Sequence, residues 1–271
     1  MALKRLHYYS HRGQHKHPTT IVHRVATGVV LPAALVLAAG AIATTAWFVP
    51  ATYTAQAGTL LLALGESLLR LFGAYVLSLV IGIPLGILAE ANRRVESVLL
   101  PVYDVLESMP VLAFFPIIII FFLHSGWLEG AALFIIFFSM IWNIAFSTIG
   151  GLKQMPQDVR AAGRVFGLSA WGRFRQITLP ALFPPLVTGS ILSLADGWNV
   201  LIVAEALHAY APATSGAGDL FGIGSILVSA SAAGNNALLL SAMAILVVAI
   251  AAINIAVWQP LLARAERYKF E

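Results

Sequence analysis

Residues 160–180, RAAGRVFGLSAWGRFRQITLP, form a polar and basic segment inside a chain that is otherwise strongly apolar. The apolar side chains of this segment recur at spacings of three and four residues, with arginines between them. This pattern predicts two short amphipathic helices that are hinged at Gly167. Ser169 stands before the second apolar run and is a suitable N-terminal cap for the second helix. Such a segment does not belong within lipid, which predicts a loop exposed to water.

The composition of the whole chain is that of a polytopic membrane protein. Of its 271 residues, 59% are hydrophobic and 10% are charged, and the mean hydropathy is +0.87. One soluble core cannot bury so much apolar material. The chain has no cysteine, which excludes disulfides, thiolate metal sites and cysteine nucleophiles. Its net charge of +4 comes from scattered residues, which indicates membrane orientation and excludes a nucleic-acid partner.

Six stretches are long and apolar enough to cross about 30 Å of hydrocarbon as helices. They run approximately over 25–49, 71–89, 98–123, 131–150, 181–208 and 237–261. We therefore predict an all-α membrane domain over 25–262 that includes a loop at about 151–180. Tails precede and follow this domain, over 1–24 and 263–271. Several prolines are expected to kink or break their helices, namely Pro32, Pro84, Pro110, Pro116 and Pro184.

The basic residues lie almost entirely on one side of these six predicted spans. Of sixteen Lys and Arg residues, fifteen fall in the tails and in the loops of one side, and only Arg70 does not. The positive-inside rule then places both termini and the 160–180 segment in the cytosol. The first span is not predicted to be a cleaved signal peptide, because its leader and its apolar run are both too long.

The residues of the loop leave two interpretations open. It can be a membrane-surface loop, with aromatic side chains among the headgroups and arginines against anionic lipid. It can also dock a cytosolic protein, with apolar side chains entering a groove and arginines fixing the register. A phosphate-binding loop is excluded, because Arg173 and Phe174 stand where lysine and Ser/Thr are required, and no strand precedes them. The chain therefore has no nucleotide site of its own.

Polar residues within the predicted spans are the second group of candidates. Intramembrane carboxylates are costly and usually face a cavity or a partner. Asp196 and Asn199 share a helix face, and Glu205, nine residues beyond Asp196, is expected near the same stripe. The alternative for each residue is a hydrogen bond between spans. The predicted lining of a translocation path is Glu107, Asp196, Asn199 and Glu205, with Asp104 and Asn143 less central.

Three further patterns stand out in the sequence. Gly82 and Gly86, four residues apart in the second span, indicate a close contact between helices. Five histidines crowd the N-terminal tail, but nothing fixes their geometry, so a solvated tail is expected and no metal site is predicted. The glycine-rich segment 209–236 is expected either to meet an external protein or to be a re-entrant connection.

The spacing of the loop resembles the cytoplasmic loop of binding-protein-dependent ABC importer permeases. The pattern of that family is E-A-A, three residues, G, nine residues, I, one residue and L-P. The corresponding residues are Ala161, Ala162, Gly163, Gly167, Ile177, Leu179 and Pro180. The spacing is complete, but Ala161 replaces the acidic residue and Gly163 the second alanine. Four further segments resemble the nitrate, sulfonate and taurine branch of that superfamily: 107–122, 195–207, 222–235 and 257–268.

This resemblance implies a type I importer permease with six spans and a cytosolic coupling loop of two helices, in a bacterial inner or plasma membrane. It implies no cofactor in this chain, because ATP and magnesium are bound by separate cytosolic ATPase subunits. A second permease subunit, the same or a homologous chain, completes the path, and an extracytoplasmic binding protein delivers a small anionic solute. Membrane lipid surrounds the complex. Pro180 is expected to end the second loop helix where the fifth span begins.

The resemblance also assigns the residues of the coupling site. Contact with the ATPase is expected through Phe166, Leu168, Trp171 and Phe174, with Arg164 and Arg173 as charges at the rim. The whole predicted coupling set is Ala161, Ala162, Gly163, Arg164, Phe166, Gly167, Leu168, Trp171, Arg173, Phe174, Ile177, Leu179 and Pro180. Two other classes fit less well: a secondary transporter would show repeated span-loop units, and a membrane enzyme would need a catalytic constellation.

Overall fold

The computed structural model describes residues 56–124, 126–207 and 219–268. This part of the chain is helical and contains no strand, which confirms the predicted all-α class. The first predicted span, 25–49, and the histidine-rich tail lie outside it. The α-helices are α1 Ala57–Ala91, α2 Arg93–Ser108, α3 Val111–His124, α4 Leu128–Gln154, α5 Gln157–Val165, α6 Ala170–Arg173, α7 Leu179–Glu205, α8 Ile223–Ala232, α9 Asn236–Ile253 and α10 Gln259–Ala265.

Four continuous helical runs in the described residues are long and apolar enough to cross a membrane. They are α1, α4, Ala170–Glu205 and Asn236–Tyr268. These runs confirm the second, fourth, fifth and sixth predicted spans, but the second begins at residue 57 instead of 71 and the fifth at residue 170 instead of 181. The last helix continues into the predicted C-terminal tail as far as Tyr268.

The third predicted span, 98–123, is not one straight helix. α2 and α3 are separate, and the bend between them is 97°. Met109, which precedes Pro110, is extended with ψ of 128°, because the proline ring disfavours an α conformation in the residue before it. The break predicted at Pro110 is therefore present. By contrast, α1, α3 and α7 continue through Pro84, Pro116 and Pro184.

The second helix of the loop also differs from the prediction. α6 passes through a π-helical turn, Phe174–Thr178, directly into α7, so Pro180 does not end it. The Leu179 N–H donates to the Phe174 C=O, five residues back. This wider turn makes room for the ring of Pro180, which would clash with a carbonyl in a regular α ladder. The base of the loop and the fifth span are therefore one continuous helix.

α4 is the centre of the described bundle, with α1 and α7 packed along it. Small residues allow this close approach. A Cβ added at Gly86 would lie 2.6 Å from Thr148 Cβ, and one at Gly82 would lie 3.0 Å from Ile144 Cγ2. The close contact predicted at Gly82 and Gly86 is therefore confirmed. A Cβ at Gly189 on α7 would collide with the side chain of Ser147.

Candidate functional site

α5 ends in a Schellman turn at Gly167. The Leu168 N–H donates to the Gly163 C=O over 3.1 Å, and Gly167 has φ of +64°. This left-handed conformation suits glycine, because a Cβ would crowd the following carbonyl. Ser169 then caps α6, its Oγ accepting the Gly172 N–H at 3.1 Å. The turn and the cap therefore occur at the residues for which the sequence predicts them.

Gly163 stands where the family pattern has alanine, and the packing around it explains the difference. A Cβ at this position would lie 2.7 Å from Ile177 Cδ1 and 3.0 Å from Arg173 Cγ. Glycine therefore lets α5 press directly against the helix that begins at Ala170. Ile177 also packs, with Val159, against a buried cluster at the base of α7. The loop is thus folded back on the bundle.

One ion pair attaches the loop to α1, and a second joins the adjoining end of α4 to α2. Arg160 NH1 donates to Glu90 Oε1 at 2.6 Å, and Arg160 NH2 donates to the Leu152 C=O. Lys153, at the end of α4, pairs with Glu96 of α2. Such partly exposed pairs contribute little stability individually, but the contacts of Arg160 and the packing of Val159 and Ile177 together hold α5 against the bundle.

The tip of the loop presents apolar side chains to solvent. Val165 is 80% exposed, Phe166 78% and Trp171 69%, and Trp171 stacks on Phe174 with ring centroids 5.5 Å apart. Exposed apolar surface of this kind marks contact with a protein or a membrane. Of the other predicted coupling residues, Arg173 and Leu179 are exposed, Ala161, Leu168, Phe174, Ile177 and Pro180 are half-buried, and the side chains of Ala162 and Arg164 lie outside the described part.

Asn143 of α4 and Asp196 of α7 form a polar pair between the two helices. Asn143 Nδ2 donates to Asp196 Oδ2 over 2.6 Å. Asp196 and Asn199 are both exposed, on the face that the sequence predicts they share. Glu107 of α2 is exposed as well and lies within electrostatic range of Asp196 and Asp104. Asp196 thus makes a hydrogen bond between two spans, which is the alternative that the sequence leaves open for it, while its exposed carboxylate still allows a role in a path.

A separate cleft lies on the loop side of this pair, where α4 ends and α7 begins. Ser147 lies one turn beyond Asn143, and the cleft next to it has a volume of about 480 Å³. Its polar lining includes Ser147, Gln154, Thr188 and Tyr268. We call the side chains that follow this line the polar seam: Asn143, Ser147, Gln154, Thr188 and Asp196. Sequence reasoning missed Ser147, Gln154 and Thr188, because a lone polar residue in a span gives no signal until its neighbouring helix is known.

Arg70, the one basic residue that the predicted topology leaves on the other side, is the centre of a buried ion-pair network. Its side chain is 6% exposed. Nε and NH2 donate to the two carboxylate oxygens of Glu129, at 2.7 and 2.8 Å. NH1 donates to Glu205 Oε1 and to the Phe221 C=O, each at 2.8 Å. The guanidinium therefore joins α1, the beginning of α4, the end of α7 and the segment before α8.

Glu205 is fully buried and holds the beginning of α8. Its side chain is 0% exposed, and it accepts hydrogen bonds from Ser67 Oγ at 2.7 Å and from the Gly224 N–H at 2.8 Å. Ser67 Oγ in turn accepts the Ile223 N–H at 2.9 Å. The first amides of a helix lack partners within the helix and favour a negative charge. A Cβ at Gly222 would collide with this carboxylate.

The expectation that Glu205 lies near the stripe of Asp196 is wrong. Nine residues are two and a half helical turns, so the two side chains lie on opposite sides of α7. The structure gives Glu205 the hydrogen bonds between spans that the sequence leaves as the alternative. Arg70 was the signal that the sequence offered, because a lone cation at the edge of a predicted span favours carboxylate partners. Among the described residues, no three His, Asp or Glu side chains are grouped to hold a metal ion.

A family model described as "Binding-protein-dependent transport system inner membrane component" matches residues 82–265. This region includes the loop, the polar seam and Glu205.

Three curated relatives illustrate the likeness. The bicarbonate transport system permease protein CmpB of Synechococcus elongatus is 32% identical over 139 residues, 51% of this chain and 49% of the relative. The nitrate import permease protein NrtB of Synechocystis sp. is 35% identical over 141 residues, 52% of this chain and 50% of the relative. The taurine transport system permease protein TauC of Escherichia coli is 29% identical over 146 residues, 54% and 52%. The matched part of the chain thus spans about half the length of these relatives.

A solved structure shares the fold. A chain of the MetNI methionine ABC transporter, in an inward-facing conformation, superposes with a TM-score of 0.64 at 19% identity. The similarity covers 78% of this chain and 97% of that chain. At this identity the likeness shows the architecture alone.

Proposed function

The chain belongs to the family of binding-protein-dependent transport system inner membrane components, and on this premise we propose that it is the permease subunit of an ATP-driven ABC importer. The subunit lines part of the path for a small anionic solute and couples to a separate ATPase through residues 157–180. One observation carries this proposal: a single continuous helix, Ala170–Glu205, joins the exposed loop tip to the polar seam.

This helix supports a direct mechanical link. Trp171 projects near its beginning, and Asp196 lies on the seam toward its other end. Closure of the ATPase subunits on ATP displaces the loop, and the helix carries that displacement to the path. Rocking of this subunit against a second permease subunit then alternates the side on which the path is open. ATP and magnesium remain on the ATPase, and an external binding protein supplies the solute.

Co-purification tests this function directly. A tagged chain, solubilised from membranes that contain its natural partners, is expected to retain an ABC ATPase subunit. Because Phe166 and Trp171 are the exposed apolar contacts, replacing both with aspartate is expected to abolish that retention while the subunit still inserts. If no ATPase is retained, or if the aspartate variant retains it fully, the loop is not the docking element. Binding of the loop to vesicles alone would favour the membrane-surface interpretation.

The topology is tested by cysteine labelling, since the chain has no native cysteine. A cysteine at Val165, which is 80% exposed, is expected to react only with a membrane-impermeant reagent applied from the cytosol. A cysteine at Ser215, outside the described residues, is expected to react only from the external side. Labelling from the opposite sides would overturn the orientation that fifteen of the sixteen basic residues predict.

Removing the charge of Asp196 tests whether this residue lines the proposed path. Its carboxylate would repel an anion passing along the seam, so Asp196→Asn is expected to lower the KM for an anionic solute severalfold. The change removes charge but little volume, and assembly with the ATPase should persist. Glu266→Gln, which neutralises an exposed carboxylate at the end of α10, serves as the control. An unchanged KM would remove Asp196 from the path, and loss of the folded subunit would assign it a structural role.

A further inference from the structure

A second cleft, of about 430 Å³, lies between the beginning of α7 and the end of the last helix. One wall is apolar and the other carries two guanidinium groups. The ring of Tyr268 packs edge-on against Phe183, with centroids 5.5 Å apart. The lining is Leu179, Pro180, Phe183, Arg264, Arg267 and Tyr268. A cleft with both hydrocarbon and positive charge fits an amphiphile with an anionic head.

The two arginines of this cleft have no carboxylate partner in the described part of the chain. Arg70 and Arg160, by contrast, are each paired. Arg264 and Arg267 are both exposed and lie three residues apart, so they project from one side of the helix. Glu266 stands between them in the sequence but off their shared side. Guanidinium groups bind phosphate through paired hydrogen bonds, so two of them on one side of a helix are suited to hold a phosphate.

We propose that this cleft binds an anionic phospholipid of the cytosolic leaflet, with its phosphate between Arg264 and Arg267 and its acyl chains along Leu179 and Phe183. Basic pockets at the cytosolic ends of spans are suited to such headgroups. The cleft lies at the level where α7 begins and the last helix ends, which is the headgroup level. The proposal rests on the proposed orientation of the chain and is independent of the solute.

The position of the last helix favours lipid over a protein as the occupant. Of the residues of α9, only Ala242 is buried within the described part of the chain, so this helix lies at the edge of the described bundle. Leu179, which lines the cleft, is 43% exposed, and Leu262, two residues before Arg264, is 38% exposed. The cleft therefore opens toward surrounding hydrocarbon, which places acyl chains within reach of its apolar wall.

A lipid bound here also reaches the coupling loop. A neighbouring cleft of about 310 Å³ shares Pro180, Arg267 and Tyr268 with the first. It is further lined by Val159 of α5 and by Gln176 and Ile177 of the π-helical turn. The headgroup would therefore bridge the loop, the base of α7 and the last helix, and hold the loop in the position from which it docks.

Native mass spectrometry of the purified full chain tests the proposal during titration with phosphatidylglycerol or phosphatidylcholine. Phosphatidylglycerol is expected to be retained preferentially, and the double variant Arg264→Gln/Arg267→Gln should reduce its retention about tenfold or more. The matched control, Arg93→Gln/Arg94→Gln, removes two other exposed arginines from the same side and should leave retention unchanged. All four side chains are exposed, so the variants are expected to fold, and an unchanged melting temperature checks this.

Competition separates a lipid site from a site for free phosphate. Phosphatidylglycerol that stays bound in excess glycerol 3-phosphate and inorganic phosphate supports the proposal. Displacement by either soluble anion would overturn it, because the apolar wall would then contribute nothing. The proposal also fails if the cleft variant and the control lose lipid equally, or if the cleft variant loses none. Retention in the lone chain but not in the assembled importer would show that a protein partner covers the cleft, which also contradicts it.

Discussion

Replacement of Glu205 with alanine is expected to cost about 3–5 kcal/mol of stability, as removal of one partner from a buried ion pair typically does. The substitution takes away the acceptor for Ser67 Oγ, for the Gly224 N–H and for one nitrogen of Arg70. Each donor would stay in a site that excludes water, and a cavity would remain where the carboxylate was. Arg70 retains Glu129, which places the cost at the lower end of that range.

Thermal unfolding of the purified subunit and its level in membranes measure this effect. Glu205→Gln keeps an oxygen acceptor in the same volume and is expected to lose less than half as much. Gly222→Ala should destabilise the same site from the other side, because its Cβ would collide with the carboxylate. Glu66→Ala is the matched control: it removes an exposed carboxylate from α1, one residue from Ser67, and should change stability by about 0.5 kcal/mol or less. Equal stability of Glu205→Ala and the control would show that the network is not structural.

Gly167→Val is expected to weaken coupling to the ATPase strongly, which is the second large effect. Insertion into the membrane should not change. No atom lies within 4 Å of the added Cβ, so the cost is the left-handed backbone at φ of +64°, about 1–3 kcal/mol for a strained position. If that strain is relieved by distorting the Schellman turn, Phe166 and Trp171 no longer stand in the geometry that docks. Affinity for the ATPase should then fall between about fivefold and a hundredfold, and ATP hydrolysis should uncouple from uptake.

Two controls isolate the backbone effect. Gly65→Val adds the same side chain in open space on α1, without a left-handed φ, and should leave docking and coupling unchanged. Gly167→Asn should retain most of both, since asparagine tolerates this conformation. ATPase pull-down and the ratio of ATP hydrolysed to solute taken up are the measurements. Full binding and coupled uptake by Gly167→Val would mean that the loop does not couple the two subunits.

A substitution at Ala161 tests the same loop with a smaller expected effect. Ala161→Glu restores the acidic residue of the family pattern at a half-buried position on α5. Arg160 already pairs with Glu90, so the loop does not need the new carboxylate to stay in place. We expect normal insertion and ATPase binding, measured by the same pull-down. Loss of binding would indicate that the partner ATPase presents no matching positive charge.

Local patterns in the sequence account for much of what the structure shows. Apolar runs predict spans because every backbone polar group in hydrocarbon needs a partner within its own helix. Gly167 and Ser169 predict the turn and the cap because both depend on a few adjacent residues. Gly82 and Gly86 predict a close contact through size alone. The roles proposed for the coupling and path residues remain predictions.

The sequence alone determined the class of the protein, its membrane-spanning stretches and the hinged loop at 160–180, because composition, hydropathy and local turn chemistry act over a few turns of chain. The tertiary structure alone decided which polar groups meet. Ser67, Arg70 and Glu205 come together across 135 residues or more, and Asn143 and Asp196 across 53. It also decided that α6 continues through Pro180 into α7 and that Glu205 faces away from Asp196. These outcomes depend on the packing of one helix against another, and no local pattern records which face each helix turns to its neighbour.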